Sequence, residues 1–476
     1  MKKENIYNSV LVLLLVFLAG SCKTNQLSLK KENRILPKSF AQSIDSANYA
    51  SINWKDYYND QNLIELIDTA LKNNQEFNIF LQEIEISRNE IQSRKGEYLP
   101  FIGFFTGLGM EKDGLYTRHG AVDNQLNIRP GEAIPDPYPD YKIGLKATWE
   151  IDIWKKLRNA KQSAVFSFLA SVEGKNLMQT HIVSEIADSY YELMALDNLL
   201  SIIERNISIQ TSALKVVKQQ KEAARLTQLA VNRFEAQLLN TQNLQYNVKQ
   251  KLVEVENRIN FLTGRYPKPI PRNSEFLDVD GLKDLDVGLP SQLLLNRPDI
   301  RKAEFELMAA NLDVSVARAN FYPSLGLTAD LGFAAFKPSF LINPQSLLYN
   351  LAGDLTAPLI NRNAIKASYK SANSKQLQAV YSYEQTVLNA YLDVVNQLAK
   401  VENYNASYNT KYREVEILVE SIQIANSLFY SARADYGEVL LTQREALESR
   451  MELIEIKLKQ LHSKVNIYRA LGGGWK

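Results

Sequence analysis

The feature of this sequence that most restricts its fold is a seven-residue apolar period that continues through a long stretch without proline. In the second half of the chain an apolar residue occupies every seventh position, at Val380, Val387, Val394, Val401, Tyr408, Val415, Ile422 and Phe429. A period of seven is slightly shorter than two turns of a straight α-helix, so helices that keep it wind around their neighbours in a left-handed supercoil. The chain is therefore expected to contain very long helices that pack side by side.

The second half of the chain repeats the pattern of the first. A shift of 208 residues aligns identical residues, namely Ser163-Ala164 with Ser371-Ala372, Arg205 with Arg413, Arg225 with Arg433, Val231 with Val439, Ile259 with Ile467 and Gly264 with Gly472. Six of the eight heptad positions remain apolar after the same shift. The sequence therefore predicts two copies of one helical unit.

Segments 153–222 and 362–431 are each predicted to form one uninterrupted helix, because neither contains proline. At 1.5 Å per residue such a helix is about 105 Å long, which exceeds the diameter of a compact globular domain. Each repeat also contains two shorter predicted helices, over 60–95 and 228–264 in the first and over 297–321 and 437–471 in the second.

Each repeat is interrupted between its first and second helices by residues that alternate in polarity. Apolar residues occupy every second position from Tyr141 to Ile151, from Leu325 to Phe333, and less regularly from Tyr349 to Leu359, while Phe101, Gly103 and Phe105 open a fourth strand. A period of two over about ten residues is typical of a half-buried strand, and of an outer-membrane barrel strand in particular. Four strands packed on a soluble core remain an alternative.

Four strands are too few to close a barrel. An open sheet edge in hydrocarbon leaves backbone groups without hydrogen bonds, at several kcal/mol each. If these strands enter a membrane, several chains must share one barrel, and the sequence does not choose among eight, twelve or sixteen strands.

The N-terminus has the layout of a secretory signal peptide. Lys2 and Lys3 precede an apolar run, Val10 to Leu18, that is too short to span a bilayer. The only cysteine of the chain, Cys22, follows Leu-Ala-Gly-Ser, which resembles a bacterial lipobox whose thiol is acylated after cleavage. The alternative is an ordinary signal peptide with Cys22 near the cleavage point.

Neither the composition nor the motifs indicate a catalytic or ligand-binding site. The net charge is only +2, which gives no indication of a nucleic-acid partner. The three histidines, His119, His181 and His462, are far apart in sequence, and there is no metal-ligand spacing, phosphate loop or nucleophile motif. We therefore expect no catalytic, cofactor-binding or metal site, no cofactor and no enzymatic activity.

Several motifs carry a family resemblance that covers nearly the whole mature chain. The segments are "GLPSQLLLNRPDIRKAEFELMAANLDVSVARANFYPSLGLTADLGF" (288–333), "WEIDIWKKLRNAKQSA" (149–164), "EVLLTQREAL" (438–447) and "LGGGW" (471–475). Together they resemble the lipid-anchored, TolC-like outer-membrane efflux proteins.

The resemblance implies a mainly α fold with a membrane β part. Each chain would be internally duplicated, and three chains would form a homotrimer. The trimer would have an α-barrel of long coiled helices and a shared twelve-stranded β-barrel in the outer membrane. The implied function is a passive exit duct of a tripartite efflux system. The implied partners are a periplasmic adaptor (membrane fusion) protein, an inner-membrane pump of the RND type and outer-membrane lipid. The alternative is a lipid-anchored coiled-coil scaffold without a pore.

The expected organisation follows from these elements. It comprises a signal peptide (1–21), a lipidated N-terminal segment (22–58), a first repeat (59–264, strands within 98–152), a linker (265–288), a second repeat (289–471, strands within 323–360) and a C-terminal tail (472–476).

The resemblance also implies a gate. In the family, the turn between the last two helices of the second repeat narrows the closed tunnel through acidic rings and polar links, and adaptors pack on the same turns. The residues offered here are Arg433, Asp435, Tyr436 and Glu438 in the second turn and Arg225 in the first. Family members often carry glycine at the positions of Ala224 and Ala432.

Overall fold

A computed structural model of the chain describes residues 29–40, 52–273, 276, 288–431 and 433–475. The predicted signal peptide, Cys22 and most of the linker lie outside these residues. The helices and strands are α1 Trp54–Tyr57, α2 Gln61–Asn73, α3 Gln75–Tyr98, β1 Phe101–Glu111, α4 Arg118–Asp123, β2 Asn127–Arg129, β3 Glu132–Ala133, β4 Tyr138–Ile151, α5 Lys156–Glu222, α6 Gln228–Leu262, α7 Leu293–Asn296, α8 Pro298–Ala319, β5 Ser324–Ala335, β6 Leu347–Thr356, α9 Asn363–Tyr430 and α10 Tyr436–Ala470.

The chain divides into two compact units, and each takes residues from both halves of the sequence. Among the described residues, the strand unit comprises 29–31, Glu85–Leu169 and Phe305–Tyr381. The helical unit comprises Glu32–Ile84, Ala170–Glu304 and Ser382–Lys476. The units are therefore not the two sequence repeats, because each repeat contributes to both.

The two long helices begin and end close to the predicted positions. Helix α5 contains 67 residues and α9 contains 68. Of the eight heptad positions in α9, Val380, Val387 and Val394 are buried and the other five are half-buried. In the part of the chain that is described, no helix combines the length and the apolar character needed to cross a bilayer.

The helix predicted over 60–95 is not continuous, and this part of the sequence prediction is wrong. Helix α2 ends at Asn73 because Asn74 has an extended backbone (φ −61°, ψ 126°). The Asn74 side chain accepts a hydrogen bond from the Phe77 amide (2.9 Å) and thereby caps α3. It also donates to the carbonyl oxygen of Leu262 (2.9 Å), at the end of α6.

The second repeat contains the corresponding contact. Arg297, just before α8, donates from Nη1 to the carbonyl oxygen of Ala470 (2.8 Å), at the end of α10. Leu262 and Ala470 are separated by the same 208 residues that align the sequence. The duplication is therefore visible in the contacts, although an amide makes the bond in one repeat and a guanidinium in the other.

The strand unit contains a four-stranded antiparallel sheet with the order β1-β4-β5-β6. Its register pairs Trp149 with Leu327, and Lys146 with Asp330, which in turn pairs with Asn350. Because residues directly opposite each other point to the same face, one face of the sheet is apolar and the other polar. This agrees with the alternation in the sequence.

Two details of the strands differ from the sequence pattern. Phe101, Gly103 and Phe105 of β1 pair with Thr148, Lys146 and Gly144, so these three residues lie on the polar face. Ile102, Phe104 and Leu108 supply the apolar face of β1 instead. Leu359 lies beyond the end of β6 and is not part of the sheet.

Strands β4 and β5 approach each other closely at a pair of glycines. A Cβ atom on Gly144 would lie 2.6 Å from the Leu331 carbonyl oxygen and 2.8 Å from the Gly332 Cα. No real Cβ contact is that short, and both obstacles are backbone atoms that cannot rotate away. The sheet therefore requires glycine at this position.

We expect Gly144→Ala to destabilise the sheet by about 1–3 kcal/mol, the usual cost of inserting a methyl group where there is no room. Gly326→Ala is the matched control, because its Cβ would meet only the Asp354 carbonyl oxygen at 3.9 Å. Samples of the extracted protein are heated before electrophoresis in detergent gels, and the temperature at which the band shifts from the folded to the unfolded position is recorded. This temperature should fall for Gly144→Ala alone. Equal temperatures for both variants would contradict the close approach.

The helical unit has its core where α2, α5, α6 and α10 meet the segment 52–60. Tyrosines fasten this segment: Tyr57 donates to the Lys464 carbonyl oxygen (2.8 Å), and Tyr468 donates to the Ile52 carbonyl oxygen (2.6 Å). The rings of Tyr57 and Tyr468 are stacked with centroids 4.3 Å apart. The segment before α2 is thus held against α10 by both aromatic packing and hydrogen bonds.

Candidate functional site

The first turn of the helical unit connects α5 to α6. The Ala224 amide donates to the Lys221 carbonyl oxygen, and the Arg225 amide donates to the Gln220 carbonyl oxygen, both at 2.9 Å. This pair of bonds defines a Schellman motif, with Ala224 in the left-handed conformation (φ 57°). Alanine occupies a position that glycine prefers, so the turn carries some backbone strain.

The second turn connects α9 to α10 and shows the equivalent bond. The Arg433 amide donates to the Leu428 carbonyl oxygen (2.9 Å). Arg433 lies 208 residues after Arg225, so the two turns are built alike in the two repeats.

Each turn ends with a residue that caps the following helix. Thr227 accepts a hydrogen bond from the Ala230 amide at the start of α6 (3.4 Å). Asp435 accepts one from the Gly437 amide at the start of α10 (3.4 Å). The Asp435 carboxylate therefore lies at the positive end of the α10 helix dipole.

A small apolar cluster joins the two turns. It consists of Leu214, Val217, Ala230, Val231, Phe234 and Leu238, and we call it the turn cluster. Tyr436 and Leu440 of α10 pack against it, as does Leu226 of the first turn. Because the cluster is buried between the ends of α5, α6 and α10, it fixes the positions of both turns.

The predicted gate residues fall into two groups. Arg225, Arg433, Asp435 and Glu438 are exposed. Within the described residues none of these four side chains makes an ion pair in its own chain. Tyr436 is half-buried on the turn cluster, so its ring has a packing role.

The structure thus brings all five predicted residues to one end of the helical unit. An exposed charge that forms no ion pair among the described residues is available to a neighbouring molecule or to a passing ion. The sequence did not reveal the packing of Tyr436 on the turn cluster. The capping role of Asp435 could have been found, because an Asp immediately before a helical pattern is a common N-cap.

The described residues contain no group of three or more His, Cys, Asp or Glu side chains placed to hold a metal ion. The site therefore consists of turn geometry, packing and exposed charge.

Comparison with known proteins places this arrangement in a family. The family described as "Outer membrane efflux protein" matches residues 66–265 and 289–473, which include both repeats. The solvent efflux pump outer membrane protein SrpC of Pseudomonas putida is 28% identical over 422 residues, covering 88% of this chain and 87% of the relative. The probable outer membrane lipoprotein SilC of Salmonella typhimurium is 25% identical over 466 residues, covering 97% of both chains.

Solved structures show the same fold. The open state of the MtrE outer membrane channel of Neisseria gonorrhoeae superposes with a TM-score of 0.82 at 22% identity, covering 94% of this chain and 98% of that one. The fold is mainly α with a β part and is internally duplicated. The chain belongs to the outer membrane efflux protein family.

Proposed function

We propose that three copies of this chain form a passive duct from the periplasm to the exterior, which carries out no catalytic step of its own. The observation that supports this most strongly is the four-stranded sheet with one apolar face, one polar face and two edges. Three copies would supply twelve strands, close both edges and enclose a polar lumen. The scaffold without a pore would leave the polar face without a role.

The proposal assigns the turns to the periplasmic side. A helix of 67 residues is about 100 Å long, whereas the hydrocarbon core of a bilayer is about 30 Å thick. The turn at the far end of α5 therefore lies well outside the membrane. An adaptor protein would dock on the two turns, and an inner-membrane pump of the RND type would supply energy and select the substrate.

Planar-bilayer recording with the purified full-length protein tests the duct. We expect stable single-channel steps, because an enclosed polar lumen conducts ions. A protein that inserts into the bilayer without producing any steps would support the scaffold and contradict the duct.

We further propose that the second turn closes the duct at its periplasmic mouth. Around a threefold axis, three copies of Asp435 would form an acidic ring that attracts cations. Exposed arginines of neighbouring copies, Arg225 or Arg433, would hold the ring through links that are individually weak in water.

The double variant Arg433→Gln, Asp435→Asn should conduct more and be blocked less by polyvalent cations such as hexamminecobalt. Asparagine keeps a capping acceptor for α10 and removes only the charge, so the turn should still fold. Recordings at low salt give the clearest result, because screening is then weakest.

The matched control for the gate is Glu420→Gln, which removes an exposed carboxylate ten residues before α9 ends at Tyr430. This control should conduct and be blocked like the parent. If the double variant also behaves like the parent at low salt, the gate does not lie in the second turn.

Cys22 is proposed as the site of lipidation. Cys22→Ala should abolish incorporation of labelled palmitate while the channel still assembles, because a closed barrel already anchors the protein in the membrane. Labelling that survives in the variant would contradict the assignment. Loss of assembly would show that the lipid directs targeting as well.

The two faces of the sheet give opposite expectations for substitution. Leu327→Arg should cost about 2–4 kcal/mol, because it would place a charge on the lipid side near the middle of the bilayer. Asp330→Asn, on the polar face of the same strand, should cost little. The amount of folded protein in outer-membrane fractions measures both, and an equal yield of the two variants would mean that the facing is wrong.

A further inference from the structure

One half-buried carboxylate in the helical unit has no role in the proposed duct or its gate. Asp188 lies on α5 and faces α10. Its Oδ2 accepts a hydrogen bond from Asn466 Nδ2 (3.3 Å), whereas its buried Oδ1 has no hydrogen-bond partner among the described residues. A carboxylate oxygen that is removed from water without a partner strongly disfavours the charged form.

His462 holds the backbone at the same place. Its Nε2 lies 3.0 Å from the Asp188 carbonyl oxygen. Because a carbonyl oxygen can only accept, Nε2 must carry the proton and donate. The same nitrogen is 3.9 Å from Asp188 Oδ1, which is too long for a hydrogen bond but close enough for the two groups to interact electrostatically.

Two buried tyrosines, Tyr58 and Tyr191, interact electrostatically with the carboxylate. Tyr58, from the segment before α2, is fully buried, and its hydroxyl also lacks a hydrogen-bond partner among the described residues. Burial raises the pKa of the Tyr58 hydroxyl well above its ordinary value, and the nearby Asp188 charge raises it further. Tyr191, on α5 itself, is buried beside it.

The other charged groups around Asp188 come from the same elements. Arg469 of α10 and His462 favour the carboxylate, while Glu185 of α5 opposes it. Asp60, at the start of α2, interacts with Tyr190 and Tyr191. The nearby cations do not offset the burial, and the pKa of Asp188 is raised from 3.8 to about 6.

We propose that Asp188 makes a proton-sensitive contact between α5 and α10. This contact holds the segment 52–60 more tightly in acid than near neutral pH. The link to that segment runs along α10. Lys464 and Tyr468, on either side of Asn466, make the hydrogen bonds that hold Tyr57 and Ile52. A charge that weakens the packing of α10 on α5 therefore also weakens the hold on the segment.

The sign of the effect follows from proton linkage. Between about pH 4 and pH 6 the folded chain binds a proton at Asp188 that the unfolded chain has already released. The stability of the folded state therefore falls as the pH rises through this window. Above about pH 6, Asp188 makes no further change to the stability. A pKa difference of about two units corresponds to roughly hundredfold tighter proton binding by the folded chain.

The experiment compares the melting temperatures of the full-length protein and of Asp188→Asn in detergent from pH 4.5 to pH 7.5. Asparagine keeps the acceptor for Asn466 without the charge. The variant should melt at a higher temperature than the parent at pH 7.5, and the difference should shrink toward zero at pH 4.5. A difference that is the same at both pH values would overturn the proposal.

Two further variants identify the titrating group. Glu185→Gln removes an exposed carboxylate three residues earlier on α5 that raises the pKa of Asp188, so the pH response should persist with its midpoint moved to lower pH. His462→Gln retains a donor for the Asp188 carbonyl and removes the cation that lowers the pKa of Asp188, so the midpoint should move to higher pH. Loss of the pH response in His462→Gln would assign the titration to His462 and contradict the role of Asp188.

Hydrogen exchange of the unaltered protein provides a measurement that does not depend on any variant folding. After correction for the intrinsic effect of pH, amides in 52–60 should be less protected at pH 7 than at pH 5. Equal protection at both pH values would contradict the proposal. Channel conductance plays no part in either measurement, so failure here leaves the duct untouched.

Discussion

Unpaired backbone at the edges of the four-stranded sheet is the constraint on which the rest of the account depends. Within one chain β1 and β6 each have one neighbour, and their outer N–H and C=O groups have no partner strand among the described residues. In hydrocarbon such edges cost several kcal/mol per unpaired group, so strands of other copies have to cover them. The proposed duct therefore requires more than one chain.

Because the chain is internally duplicated, both halves of the sheet come from the same kind of repeat. Each repeat supplies two strands of the four-stranded sheet, one long helix and shorter helices, and each long helix ends in a turn with the same Schellman bond at Arg225 and Arg433. Repeats that are built alike can take quasi-equivalent places around a ring. The chemistry at equivalent positions is nevertheless free to differ, as Asn74 and Arg297 show by donating to equivalent carbonyl oxygens with different side chains.

The periodic parts of the fold could be predicted from the sequence because local physics determines them. A heptad period without proline predicts a long helix, and α5 and α9 begin within three residues of the predicted positions. Polar alternation likewise predicted the faces of β4 and β5. The break at Asn74 could not be predicted, because the Leu262 carbonyl that it binds is 188 residues away in sequence. Asp188 and His462 are 274 residues apart, and their proximity is equally a property of the folded chain.

The candidate gate was only partly accessible to sequence reasoning. The duplication and the family resemblance identified both turns and their charged residues. The turn cluster was missed, because Tyr436 and Phe234 belong to different repeats and meet only through the packing of α10 against α5 and α6. Polar side chains in a turn give no signal in sequence that separates a gate from a hydrated surface, since both are exposed.

The central claim is that copies of this chain close one another's sheet, and the mass of the assembly tests it most directly. Native mass spectrometry of the protein extracted from outer membranes should give the mass of three chains. The unprocessed chain has a mass of 54.1 kDa, which signal-peptide removal lowers and lipidation raises. Three copies of a four-stranded sheet supply the twelve strands of one closed barrel. A single chain that remains folded in the membrane, with both sheet edges open, would contradict the account.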